Sequence, residues 1–158
     1  MFRKRAKRSL TSHPKFYFFD AGVFYALRPK GPLDRPEEIG SAALEGLVAQ
    51  HLRACNAYRG NPYQLSFWRS RGGVEVDFVL YGEEGIFAIE VKNSNRVRQE
   101  DLRPLLSFRQ DYPQSRTILL YRGEEKLLKS NIFCIPCQEF LENLVPERDL
   151  TTCYRAYD

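Results

Sequence analysis

Between residues 64 and 92, apolar and polar side chains change places in three short runs separated by glycine-rich breaks. Residues 64–70 make the first run, Arg71-Gly72-Gly73 supplies a turn, residues 74–81 alternate strictly, and residues 82–85 turn the chain into a third run at 86–92. A period of two bounded by glycine predicts three strands. Upstream, Leu44, Leu47, Val48, Leu52 and Cys55 recur at helical spacing and predict a helix over residues 37–56. Downstream, Asp101 can cap a helix to about Gln110 with Pro104 in its first turn, and residues 116–121 and 131–135 read as further strands. Pro136 then opens a last helix to about Leu144. Before all of these, residues 15–19 could form a strand, Asp20 caps a short helix through Leu27, and the three prolines of residues 28–36 mark a loop. From residue 37 the order is αβββαβ followed by βα. Three consecutive strands and a crossover helix imply an α/β domain whose mixed central sheet is flanked by helices.

At 158 residues with 43% hydrophobic composition, the chain can bury about two thirds of its unfolded surface in one core. Its formal charge is +4, but residues 1–16 hold six bases and no acid, leaving eighteen bases against twenty acids in residues 17–158. The expected organisation is therefore a basic arm at residues 1–14, a domain at 15–145 and a loose polar tail at 146–158. Bulk charge argues for a polyanionic partner only through the arm, with Arg3, Lys4 and Arg5 as candidate nucleic-acid contacts. There is no apolar run of membrane-spanning length and no signal peptide, so the expected location is the cytoplasm, where Cys55, Cys134, Cys137 and Cys153 are expected as free thiols.

The chemistry concentrates in Val74-Glu75-Val76-Asp77-Phe78 and Ile89-Glu90-Val91-Lys92. A turn centred between Glu83 and Glu84 sets Asp77 opposite Glu90 and Glu75 opposite Lys92. Period-two alternation then sends all four charges to one side of the sheet, and Val76, Phe78, Ile89 and Val91 to the other. Two opposed carboxylates about 5 Å apart repel unless something positive lies between them. Mg²⁺ suits that position, since it takes hard oxygen ligands and commonly one or two protein carboxylates. Lys92 could then hold a water or stabilise charge on a scissile phosphate. Glu45 borders the apolar stripe of its helix and becomes a further, direct or water-mediated, metal ligand if that helix packs on the charged face. The plain alternative is an ordinary cross-strand ion pair on a solvated face.

These residues resemble a known pattern. Asp77, twelve intervening residues and Glu90-Val91-Lys92, with Glu45 on the preceding helix, are similar to the PD-(D/E)XK restriction-endonuclease-like superfamily, although Val76 stands where the motif's name has proline. Lys15-Phe-Tyr-Phe-Phe-Asp-Ala-Gly-Val23, Gly40-Ser-Ala-Ala-Leu-Glu-Gly46, Phe67-Trp-Arg69, Glu75-Val-Asp-Phe78 and Ala88-Ile-Glu-Val-Lys-Asn-Ser94 more narrowly resemble the C-terminal domain of prokaryotic AAA-type ATPases. The resemblance implies a restriction-endonuclease-like core in which Asp77, Glu90 and the Val91 carbonyl bind Mg²⁺ or Mn²⁺. Lys92 assists attack by water on DNA, and Glu45 is the helix acid. Endonuclease and exonuclease action both remain open. The chain has no P-loop of its own and is not expected to hydrolyse ATP, so the ATPase domain that the resemblance implies is lost, removed or supplied in trans by a partner.

The alternative function is a non-catalytic nucleic-acid or protein-binding module that keeps the nuclease fold. Trp68, Arg69 and Arg71 offer stacking and phosphate contact beside the charged quartet under either reading. Cys134-Ile-Pro-Cys137 has the spacing of a thiol exchange centre, but too little chain follows it for a redox fold, and two small buried residues are the expectation.

Overall fold

The computed structural model describes residues 15–18, 20–28, 30–32 and 34–153. The three alternating runs are strands β1 (Tyr63–Arg69), β2 (Glu75–Gly82) and β3 (Gly85–Val91), paired as an antiparallel meander. With β4 (Arg116–Tyr121), β5 (Leu127–Lys129) and β6 (Ile132–Pro136) they make one six-stranded sheet in the order β1-β2-β3-β4-β6-β5. β3, β4 and β6 run parallel, and β5 returns antiparallel along the far edge. The helices are α1 (Ala21–Leu27), α2 (Pro36–Tyr58), α3 (Arg103–Asp111) and α4 (Cys137–Asn143). The α/β architecture with a mixed, helix-flanked sheet is the one the sequence pattern implies.

Each face of the sheet has its own core. On one, α2 lays Val48 and Leu52 against Phe78, Leu80, Ile89 and Leu120, with α4 beside it. On the other, Leu105 and Phe108 of α3 meet Trp68, Val79, Ala88 and Leu119. β3 lies between the two, which is why every residue from Ile86 to Val91 is buried. Pro36 starts α2 because its missing N–H falls where no helical partner exists, and Glu37 and Glu38 complement the helix dipole. Asn56 at the other end of α2 exchanges two hydrogen bonds with the backbone of Tyr63, at 2.9 and 3.0 Å, and so fixes where β1 begins.

Two turns set strand register. Gly82 pairs with Gly85 across Glu83-Glu84, and Gly85 adopts φ +128°, a value closed to most side chains. Glu84 in this turn accepts hydrogen bonds from Arg59, the residue capping the end of α2, and from the Tyr63 hydroxyl, so the hairpin is pinned to the end of the helix. Ser130 and Asn131, both with positive φ, form the two-residue turn between β5 and β6, matching the right-handed twist of the strands they join.

Several elements differ from the pattern-based reading. Residues 15–18 are extended but join no strand, and Phe19 lies outside the described residues. Asp101 is no cap of α3: it sits in a 3₁₀ turn, Gln99–Leu102, and accepts the Arg98 N–H at 2.8 Å. β5 has no counterpart in the hydrophobic pattern, being three residues long with Leu128 half exposed, too short for a period to register. Of the segment after Pro146, expected to be loose, the described part carries a 3₁₀ turn, Leu150–Cys153, whose Leu150 and Cys153 enter the core beneath α2, while residues 154–158 lie outside the described residues. Two apolar residues are enough to dock a polar stretch. No helix among the described residues is long and apolar enough to cross a membrane.

Phe108 is fully buried, edge-on to Trp68 at 5.5 Å between ring centroids. Phe108→Ala should therefore destabilise the protein by about 3–5 kcal/mol, measured by urea denaturation with the single tryptophan as fluorescent probe.

Candidate active site

The hairpin pairs Phe78 with Ile89, which is the register the Glu83-Glu84 turn dictates, but the regular ladder stops there. Pairing with β1 shifts between Ser66 and Trp68, so Asp77 and Phe78 together face Phe67. That is a β-bulge, and one extra residue reverses the side-chain alternation beyond it. Val76 consequently packs on the α3 side while Phe78, Ile89 and Val91 pack on the α2 side. The expectation that Glu75, Asp77, Glu90 and Lys92 share one face is corrected accordingly. Glu75 and Asp77 turn toward α2, whereas Glu90, flanked by Ile89 and Val91, faces the α3 side together with Lys92. The pairing of Glu75 with Lys92 is likewise replaced by two separate clusters.

In the first cluster a cation that the quartet did not include is central. Lys15 Nζ lies 3.0 Å from Glu45 Oε1, 2.6 Å from Glu75 Oε1 and 3.1 Å from Asp77 Oδ1. The same ammonium lies over the Phe67 ring, 5.8 Å from its centroid, and Arg69 Nε reaches Glu75 Oε2 at 3.3 Å. Tyr17 donates its hydroxyl to Glu45 Oε1 at 2.5 Å and packs on Phe78, while the Phe18 carbonyl accepts from Gln50 of α2 at 2.8 Å. Residues 15–18 thus form a strap across the end of the sheet, over a cleft of about 410 Å³. Burial works against the Lys15 ammonium, but the Asp77 charge and the bond to Glu75 outweigh it and hold its pKa above the ordinary value. Burial and the neighbouring Glu45 carboxylate push the Tyr17 hydroxyl up as well.

The second cluster begins where β2 and β3 part. Asp77 Oδ2 accepts the Val91 N–H at 2.9 Å, a side chain doing what the lost ladder would have done. Lys92 Nζ contacts Glu90 Oε1 at 2.7 Å, and the other oxygen, Glu90 Oε2, is buried without a hydrogen-bond partner. Burial and then the Glu45 charge raise the Asp77 pKa against the opposing pull of Lys15. Burial and then the Asp77 charge raise that of Glu90 against Lys92. Lys92 itself stays charged, since Glu90 outweighs the burial that opposes it. Asp77 belongs to both clusters and links them.

Sequence reading missed Lys15 and Tyr17 as members of this site, although their run was visible as a motif. No spacing rule connects residue 15 to residue 77, and the aromatic run looked like a strand. Glu45 does point into the sheet, as its place on the helical wheel implied. Among the described residues, no group of three or more His, Cys, Asp or Glu side chains is disposed to hold a metal ion, and the centre of the Glu45, Glu75 and Asp77 triad is filled by the Lys15 ammonium.

The remaining candidates are dispersed. Arg69 shares the acidic cluster, and Arg71 is exposed in the β1–β2 turn. Trp68 is fully buried in the α3 core and offers no face to a base. Arg3, Lys4 and Arg5 lie outside the described residues. Cys134 and Cys137 are buried as expected, and burial pushes both thiols up to about 11, the opposite of an exchange centre.

The model of a domain of unknown function, DUF4143, matches residues 41–140. The chain belongs to that family. DUF4143 domains are found at the C-terminus of AAA-type ATPases. The match contains Glu45, Asp77, Glu90 and Lys92 and stops short of the Lys15 strap. No curated protein and no solved structure matches the chain.

Because folding raises the Glu90 pKa from 4.5 to about 8, the folded protein holds a proton through this interval that the unfolded chain has released. Stability in EDTA should therefore fall as pH rises through that window. Glu90→Gln should flatten the decline, as read from urea midpoints at intervals across it. All four cysteines should react with a thiol reagent such as DTNB at least tenfold more slowly in the native protein than after unfolding.

Proposed function

We propose that this DUF4143 domain hydrolyses DNA phosphodiester bonds with the help of a divalent cation, Mg²⁺ or Mn²⁺, as an accessory to an AAA-type ATPase. The observation that carries the reading is Glu90 Oε2, a carboxylate oxygen buried without a partner beside Asp77 and Lys92. A fold rarely leaves such an oxygen unsatisfied unless another group uses it.

The donor set fits a hard cation. Asp77 and Glu90 supply carboxylate oxygens, the groups that Mg²⁺ prefers; burial and then the Asp77 charge raise the Glu90 pKa, while burial and then the Glu45 charge raise that of Asp77. These two residues would hold the ion, with Glu45 near Asp77 and able to take part. The bound cation would supply charge for a developing oxyanion and acidity for a coordinated water. Lys92 is fixed by Glu90, remains protonated and keeps about a third of its side chain exposed, so it can orient a water or meet a phosphate oxygen. Asp77 is oriented by the Val91 N–H, which leaves little freedom in where its carboxylate points. Arg71, exposed in the neighbouring turn, would contact the DNA backbone, and Arg69 would assist from beside Glu75. The arrangement supports membership of the PD-(D/E)XK superfamily, since an acid on β2, an E-x-K on β3 and an acid on the preceding helix converge at one end of the sheet.

A second reading draws on the Lys15 cluster. An ammonium of the chain already occupies the point that three of the acids share, as a binding module that retained the scaffold without turnover would require. Incubation with supercoiled, linear and single-stranded DNA in Mg²⁺ or Mn²⁺ separates the two. Hydrolysis should be abolished by EDTA and reduced at least about 100-fold in Asp77→Ala and Lys92→Ala. DNA left intact by the folded wild-type protein, with retention on a gel shift, would establish the binding module instead.

A further inference from the structure

Lys15 takes no part in the hydrolysis outlined above, yet its ammonium touches three carboxylates. The distances of 2.6–3.1 Å belong to charge-assisted hydrogen bonds, longer than the 2.0–2.1 Å of a Mg²⁺ contact. Glu45, Glu75 and Asp77 therefore surround one point at the spacing an ammonium sets. Asp77 also lies near enough for its charge to raise the pKa of Glu90, whose buried Oε2 has no hydrogen-bond partner. One carboxylate thus stands between a cation the chain provides and a position that lacks one.

We propose that Lys15 and a divalent cation compete for Asp77, so that the chain carries its own occupant for the site and cation binding displaces the Lys15 side chain. The proposal rests on the cation-binding part of the preceding reading and not on hydrolysis. Displacement follows from charge: a doubly charged ion between Asp77 and Glu90 repels the ammonium beside Asp77 Oδ1 and withdraws the negative charge that held it. Glu45 then loses Lys15 as a partner and can turn to the new ion. The strap itself stays, because Tyr17 still packs on Phe78 and the Phe18 carbonyl remains bonded to Gln50. The exchange is confined to one side chain, beside Phe16, which is already 80% exposed.

Two measurements test this without DNA. Calorimetric titration with MnCl₂ should show Lys15→Met binding Mn²⁺ at least tenfold more tightly than wild type, whereas Lys15→Arg, which keeps the charge, should stay within about threefold of wild type. Trypsin cleaves after lysine only when that side chain is free to enter the protease. Saturating Mn²⁺ should therefore speed cleavage of wild type between Lys15 and Phe16 several-fold over EDTA, relative to other sites in the same digest followed by mass spectrometry. The digest uses wild type alone and decides the matter if Lys15→Met fails to fold. Equal Mn²⁺ affinities in folded Lys15→Met and wild type, or unchanged cleavage at Lys15 in Mn²⁺-saturated wild type, overturn the competition alone. Failure of both proteins to bind Mn²⁺ overturns the competition and the cation-dependent reading together. Competition without hydrolysis of any DNA supports the proposal and removes only the hydrolytic reading.

Discussion

A carboxylate taken out of water near the middle of a sheet needs a proton, a positive charge or a row of N–H donors, and this domain is arranged around that need. Asp77 receives all three kinds of help in part: the Val91 N–H on one oxygen, the Lys15 ammonium on the other, and a pKa raised toward protonation. Glu90 is less well served: Lys92 sits on one oxygen and the Asp77 backbone N–H eases its charge, but the buried Oε2 meets no partner at hydrogen-bond distance. The demand reaches the architecture. The bulge at Asp77-Phe78 brings the aspartate to the α2 side without removing Phe78 from the α2 core, and the strap is held where its lysine can reach. Removing one partner of such a group generally costs more than the net gain from making the pair, so the clusters should resist piecemeal change.

Most of the fold was legible in the sequence because its signals are local. The stripe from Leu44 to Cys55 declared α2, the glycine pairs declared the meander, and the apolar run of β4 was bounded by polar residues on both sides. The turn Gly82–Gly85 even gave the pairing of β2 with β3 as far as Phe78 and Ile89. What local pattern could not give was the bulge, since Val-Glu-Val-Asp-Phe reads as perfect alternation and only its partner Phe67 reveals that two residues share one position. The apolar triplet Phe78-Val79-Leu80, packed alternately on the two faces, has no register of its own.

The site was legible to a similar degree. Glu45, Asp77, Glu90 and Lys92 could be named from type and spacing, and the structure places Asp77 between the cluster of Glu45 and that of Glu90 with Lys92. Their faces could not be assigned, because the assignment passes through the bulge. Lys15 was concealed among other bases near the start of the chain, where a surplus of positive charge suggested a contact for polyanions. Its structural partner is instead the chain's own acidic triad, sixty-two residues away at Asp77. Charge counting assigns such a residue to the surface. Its burial depends on contacts that no window of sequence contains.

The strand order also bears on how the protein can be assembled during synthesis. β1, β2 and β3 are neighbours in both sequence and space and can pair as soon as they emerge from the ribosome. Among the described residues, β6 lies between β4 and β5, and β5 has no other neighbour in the sheet. Until residues 132–136 have been made, β4 therefore presents a bare edge of apolar strand, and β5 has nowhere to dock. The last-made strand of the sheet is the one that closes its interior, so a nascent chain stalled before that point would display the surface most prone to pairing with its neighbours.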